Sequence, residues 1–140
     1  MDDFIALNTN VFVLALRRDP RFPAWAALLF NHIDRLSVHV PLQVLKELRH
    51  NLTRSEPRRL LDALNLARDC TFDYSDGSQD RIAHWAALGA KKGDAVIAAQ
   101  LEASHIGFLA SENRHFLAEI DNLPFEVITS EQALPRTNRR

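Results

Sequence analysis

A single cysteine, Cys70, stands in the whole chain, which excludes an intrachain disulfide and any cysteine-rich zinc site. That usage fits a reducing compartment. The opening Met-Asp-Asp-Phe carries no basic, apolar leader, so a cytoplasmic protein is expected. No uninterrupted apolar run approaches the ~18 residues of a membrane span, and no membrane association is expected. Neither sign of charge dominates: 17 Lys and Arg face 18 Asp and Glu, for a net charge of −1. A role with nucleic acid must then rest on a local patch. The six histidines (His32, His39, His50, His84, His105 and His115) show no paired metal spacing of the H-E-x-x-H kind. The four glycines form no phosphate-cradling loop, and neither an internal repeat nor a low-complexity segment occurs.

What is present suffices for one domain. The chain has 140 residues, 46% of them hydrophobic, enough to bury a sizeable core. The expected domain is 1–134, followed by a loose tail at 135–140, Pro135-Arg-Thr-Asn-Arg-Arg140. Phe4-Ile-Ala-Leu7 is short, apolar and partly β-branched, as in a strand buried on both faces of a parallel sheet. Asn8-Thr9-Asn10 follows, residue types that stop strands and cap helices, and Val11 to Leu16 reads as an apolar helix. A buried strand ending in polar residues just before a helix places them at the carboxyl edge of a sheet, where sites form in open α/β folds.

The pattern recurs. Leu36 to Val40 is a second strand, followed by a helix from Leu42 to Leu52 with Glu47 beside its apolar stripe. A weak third strand covers Cys70 to Tyr74. Gly107 to Ala110 is another buried strand, ending in Ser111-Glu-Asn-Arg-His-Phe116 and a short helix, and Leu123 to Ile128 is the last. Between them lie helices at Ala24–Ile33, Arg58–Ala67, Gln79–Leu88 and Ala95–Ser104, the last opened by Asp94. Strands alternating with helices imply a parallel sheet covered on both faces. Glu47 and Asp94 also have plain readings, as a solvated helix residue and a first-turn acid that complements the helix dipole. Lys46, Arg49, Arg54, Arg58 and Arg59 form the one dense basic run, either an ordinary solvated face or a surface for a phosphate backbone.

Four stretches together carry a family resemblance. Leu7-Asn-Thr-Asn-Val-Phe-Val13 resembles the opening hhDTNVhh motif (h, apolar) of PIN domains. Val40-Pro-Leu-Gln-Val-Leu-Lys-Glu-Leu48 resembles their second motif, Gly93-Asp-Ala-Val-Ile-Ala-Ala99 their third, and Leu109-Ala-Ser-Glu-Asn-Arg-His-Phe116 their fourth. The resemblance implies a three-layer α/β/α fold, with about five parallel strands in the order 3-2-1-4-5. It also implies a Mg²⁺- or Mn²⁺-dependent nuclease, most often an endoribonuclease cleaving RNA, of which the VapC toxins of toxin–antitoxin pairs are one branch. Carried over by position, Asn8, Glu47, Asp94 and Asn113 are the catalytic and metal-site residues, with Glu112 as a substitute carboxylate beside Asn113. Asn10 and Ser111 orient the site. Under the nuclease reading, and from its charge alone, the basic run is expected to hold RNA phosphates. The implied partners are an antitoxin that blocks the cleft and a second copy in a homodimer, for which the Trp25 helix offers apolar residues, though core is their simpler fate.

One departure matters. Asn8 stands where the family has its first metal-binding aspartate, and one anion fewer weakens cation attraction by up to ~4 kcal/mol at an effective dielectric near 20. Asn8 is then either an inactivating Asp-to-Asn substitution, the reading that the otherwise intact motif favours, or the mark of a naturally weak nuclease. The alternative function is a non-catalytic PIN-like module that binds RNA or a protein partner.

Overall fold

The structure is a computed structural model and describes residues 4–112 and 122–138. Strand β1 (Phe4–Leu7) leads into helix α1 (Thr9–Leu16), followed by α2 (Pro23–Asn31) and a 3-10 turn (Ile33–Arg35). Then come β2 (Ser37–Pro41), α3 (Leu42–Asn51), α4 (Glu56–Leu64), β3 (Asp69–Asp73), α5 (Gln79–Ala87) and α6 (Lys92–Ala103). After β4 (Phe108–Ala110), the described chain resumes before β5 (Glu126–Ile128), α7 (Ser130–Ala133) and a second 3-10 turn (Leu134–Asn138). The short helix expected after Ser111 lies outside the described residues.

The five strands form one sheet in the order β3-β2-β1-β4-β5, and every neighbouring pair is parallel. This is the three-layer architecture expected. The central strands carry apolar residues on both faces because helices cover both, and Ile5, Ala6, Leu7, Val38, Val40, Leu109 and Ala110 are all buried. On one side Trp25, Leu28 and Leu29 of α2 pack into the core beside Phe12 and Leu16 of α1. Trp25 is fully buried, so its helix spends its apolar stripe within the monomer and does not offer it to a second copy. On another side α6 brings Ala95, Ala98 and Ala99 against the sheet, and a Cβ placed on Gly77 would lie 3.0 Å from the Ala99 Cβ. Small side chains let these backbones approach closely. Among the described residues no helix is long and apolar enough to cross a membrane.

The tail departs from expectation. Residues 134–138 form the second 3-10 turn instead of a loose end, because Thr137 is only 1% exposed. Its hydroxyl donates to the Leu134 carbonyl at 2.7 Å, and its own carbonyl accepts from Arg35 Nη1 at 3.2 Å.

Candidate functional site

The strand order places β1 beside β4, with Leu7 opposite Ala110 in register. The ladder continues one step past the strands. Asn8 N–H donates to the Ala110 carbonyl at 2.9 Å, and Ser111 N–H donates to the Ile128 carbonyl at 2.9 Å. Asn8 and Ser111 are thereby fixed side by side at the carboxyl edge, on the two strands that flank the point where chain order reverses. Both are buried, and Asn8 Nδ2 donates to Ser111 Oγ at 3.1 Å. Asn8 is also the N-cap of α1: its Oδ1 accepts from Thr9 N–H at 2.8 Å.

Three helices complete the hollow. Asn8, Thr9, Asn10 and Val13 from the start of α1, Glu47 and Asn51 from α3, and Asp94 from the first turn of α6 line a cleft of about 330 Å³. Glu47 is held from two sides. Thr9 Oγ1 donates to its Oε1 at 2.5 Å, and Gln43 Nε2, one helical turn earlier, donates to its Oε2 at 3.0 Å. Asn51 Nδ2 donates to the Glu47 backbone carbonyl at 2.7 Å. The start of α3 is fixed in turn, because its N-cap is Pro41, which offers no capping side chain. The nearly buried Gln100 of α6 instead accepts from Gln43 N–H through Oε1 at 2.9 Å.

Of the residues singled out by sequence, Asn8, Asn10, Glu47 and Asp94 line this cleft, and Ser111 touches it through Asn8. Asn113 lies outside the described residues. Glu112 does not join them. Its Oε1 accepts from Ser130 N–H at 3.1 Å, so it caps α7 and lines a separate hollow with Arg21, Phe22 and Thr129. The Ser111–Ile128 backbone bond keeps the chain in the ladder beside β5, next to the Ser130 N–H that Glu112 accepts from.

The basic run divides. Lys46, Arg49, Arg54 and Arg58 are exposed, Arg58 lying 3.8 Å from Asp62. Arg59 is instead drawn inward: its Nη2 donates to the Leu16 carbonyl at 3.1 Å, and its guanidinium lies 5.7 Å from the Phe30 ring centre. Arg17 pairs with Glu56 at 2.9 Å and donates to the Asn51 carbonyl, tying the ends of α1 and α3 to the start of α4. The hydrogen bond from Arg17 holds the Glu56 carboxyl down to about 2.

The donor chemistry suits a hard divalent cation. Every candidate ligand is oxygen: two carboxylates, Glu47 and Asp94, with the amide oxygens of Asn8 and Asn10. Asn10 Oδ1 is buried with no hydrogen-bond partner among the described residues. Each Glu47 oxygen retains a lone pair beyond the one it shares. Among the described residues no group of three or more His, Cys, Asp or Glu is placed to hold a metal. Two carboxylates are nonetheless enough for Mg²⁺, which keeps several waters and is usually bound through one or two carboxylates plus substrate phosphate. Thr9, Gln43, Gln100 and Asn51, which hold Glu47 and its helix, belong to no metal-ligand pattern in the sequence. Gln43 and Asn51 carry a local signal, each four residues from Glu47 along α3, whereas Thr9 and Gln100 carry none.

Comparison with solved structures finds the same fold. VapBC2 from Rickettsia felis, bound to a DNA fragment from its promoter, matches with a TM-score of 0.60 at 18% identity, covering 90% of this chain and 98% of that one. PAE2754 from Pyrobaculum aerophilum matches with a TM-score of 0.57 at 19% identity, covering 99% and 98%. FitAB bound to the IR36 DNA fragment matches with a TM-score of 0.58 at 16% identity, covering 90% and 94%. No protein of curated function matches by sequence. The PIN domain family model matches residues 5–123, a span that includes both strand ends and all three helices around the cleft, and the chain belongs to the PIN domain family.

Proposed function

We propose that this protein is a metal-dependent endoribonuclease of the PIN type, the toxin half of a toxin–antitoxin pair, in which Asn8 lowers activity. The observation that carries the reading is the cleft at the β1–β4 edge, where Glu47 and Asp94 converge on Asn8 with oxygen donors only. Mg²⁺ or Mn²⁺ held there supplies charge to stabilise a leaving oxygen and lowers the pKa of water for in-line attack on a phosphodiester. Glu47 and Asp94 hold the ion. Ser111 fixes the Asn8 side chain, and Asn113, where many family members carry aspartate, completes the donor set. Exposed Lys46, Arg49, Arg54 and Arg58 provide cations for RNA phosphates, a contact that weakens as salt rises. Similarity to VapBC2 and FitAB supports an antitoxin as protein partner. The Asn8→Asp variant should cleave RNA with Mn²⁺, lose that activity with chelator, and lose it again when Asp94→Ala is added. Absence of cleavage across single-stranded and structured RNAs would refute the nuclease reading.

A second reading has its own observation. The Asn8 side chain is satisfied without any ion, Oδ1 by Thr9 N–H and Nδ2 by Ser111 Oγ. A PIN fold stabilised in this way can bind RNA or a protein partner without cutting. Melting temperature followed against Mn²⁺ separates the two, because a ligand that binds only the native state raises it. A flat titration in both the present chain and Asn8→Asp favours the binding module.

A further inference from the structure

Gly93 has no assigned part in the site, yet its missing side chain is what gives Glu47 room. It is the second residue of α6, immediately before Asp94. A Cβ built on Gly93 would lie 2.6 Å from Glu47 Oε2 and 3.7 Å from Gln43 Nε2. No Cβ tolerates a 2.6 Å contact, so something must shift. The atom in the way is the far end of a flexible side chain, and the helix backbone is under no compulsion to move. Glu47 would give way instead, leaving the position where Thr9 and Gln43 hold it.

Building on the reading of Glu47 as a cation ligand, we propose that Thr9, Gln43 and Gly93 form a three-sided seat that fixes the Glu47 carboxylate opposite Asp94. Thr9 fixes Oε1, Gln43 fixes Oε2, and Gly93 supplies the space on the α6 side. Gln43 has a second task. Its backbone N–H is held by Gln100, on the same helix as Gly93 and Asp94. The two carboxylate-bearing helices are thereby registered to each other through one residue. These are positioning residues: they act on the ion through Glu47. Groups that orient a metal ligand from behind typically affect metal affinity about 10- to 100-fold.

The seat makes Gly93→Ala behave unlike a structural lesion. Alanine suits a helix better than glycine, which offsets part of the loss of the two Glu47 hydrogen bonds, so the metal-free protein should melt close to the parent. Mn²⁺ affinity should nonetheless fall by about 10- to 100-fold. The test is calorimetric titration with Mn²⁺ alone, alongside metal-free melting curves, in the present chain and in Asn8→Asp. Thr9→Val and Gln43→Met should weaken Mn²⁺ binding as Gly93→Ala does, and Thr9→Ser, which keeps the hydroxyl, should recover what Thr9→Val loses. Glu47→Gln is the control. If Glu47→Gln weakens Mn²⁺ binding while Gly93→Ala, Thr9→Val and Gln43→Met leave it unchanged, the seat is wrong and the metal reading stands. If neither parent binds Mn²⁺, or Glu47→Gln has no effect, the metal reading fails and the seat fails with it.

Discussion

Both oxygens of Glu47 are engaged by neighbours before any ion arrives, and so is the amide of Asn8. Asparagine at position 8 keeps the hydrogen-bond geometry that the α1 cap requires, but it brings one negative charge fewer to the cleft. Asn8→Asp is expected to raise divalent-cation affinity, since each added unit charge near ~4 Å contributes up to ~4 kcal/mol at an effective dielectric near 20. The same change should leave the cap intact, because a carboxylate oxygen accepts from Thr9 N–H as well as an amide oxygen does. Comparing the variant's melting temperature with and without Mn²⁺ checks both expectations. Away from the cleft, Trp25 is the largest fully buried side chain. Trp25→Ala should cost about 3–5 kcal/mol in a denaturant titration, the usual range for deleting a buried aromatic.

The helices and strands were legible to different degrees, for physical reasons. Strands β1 and β4 are short apolar runs stopped by Asn8 and Ser111, and the more mixed β2 closes on Pro41 as its own last residue. Helix α1 begins at Thr9, earlier than its apolar run, because the Asn8 side chain accepts from the first helical N–H. Pro135 and its basic neighbours read as a loose tail, since nothing local announces that the Thr137 carbonyl accepts from Arg35, 102 residues away in sequence. In the site, Asn8, Glu47 and Asp94 were recognisable because each belongs to a patterned stretch. Their support was not: Thr9 and Glu47 are 38 residues apart, and Gln43 and Gln100 are 57 apart. Glu112 reads as a substitute carboxylate because it is acidic and adjoins Asn113, whereas the Ser130 N–H that draws it away lies 18 residues off in sequence. Gln100 tests this element-level picture. Gln100→Ala removes the acceptor for the α3 N-terminus and should cost about 0.5–2 kcal/mol, the range for losing a helix cap, measured by urea unfolding.

Over the whole molecule, one buried base couples the fold to pH. His39 of β2 is 5% exposed, and burial pushes its pKa below the ordinary value. Asp73 on the neighbouring strand, 3.4 Å away, opposes that shift with the smaller effect. Asp73 is itself tied to the end of α6, accepting from Ser104 Oγ at 2.6 Å. In the unfolded chain a histidine takes up a proton near pH ~6.5, whereas folded His39 resists until lower pH. The unfolded state therefore binds more protons, and stability is full above about pH 6.5 and falls as pH drops toward the folded pKa. Melting curves from about pH 5 to 8 should show that decline, and His39→Gln should flatten it.

Metal-dependent chemistry requires the cleft to seat a divalent cation, and the most direct measurement is anomalous diffraction from crystals of the Asn8→Asp variant grown with Mn²⁺. A manganese peak between the Glu47 and Asp94 carboxylates, with the carboxylate introduced at position 8 as a further ligand, is the predicted result. A cleft without manganese at saturating concentration, or manganese bound only elsewhere on the surface, would contradict it.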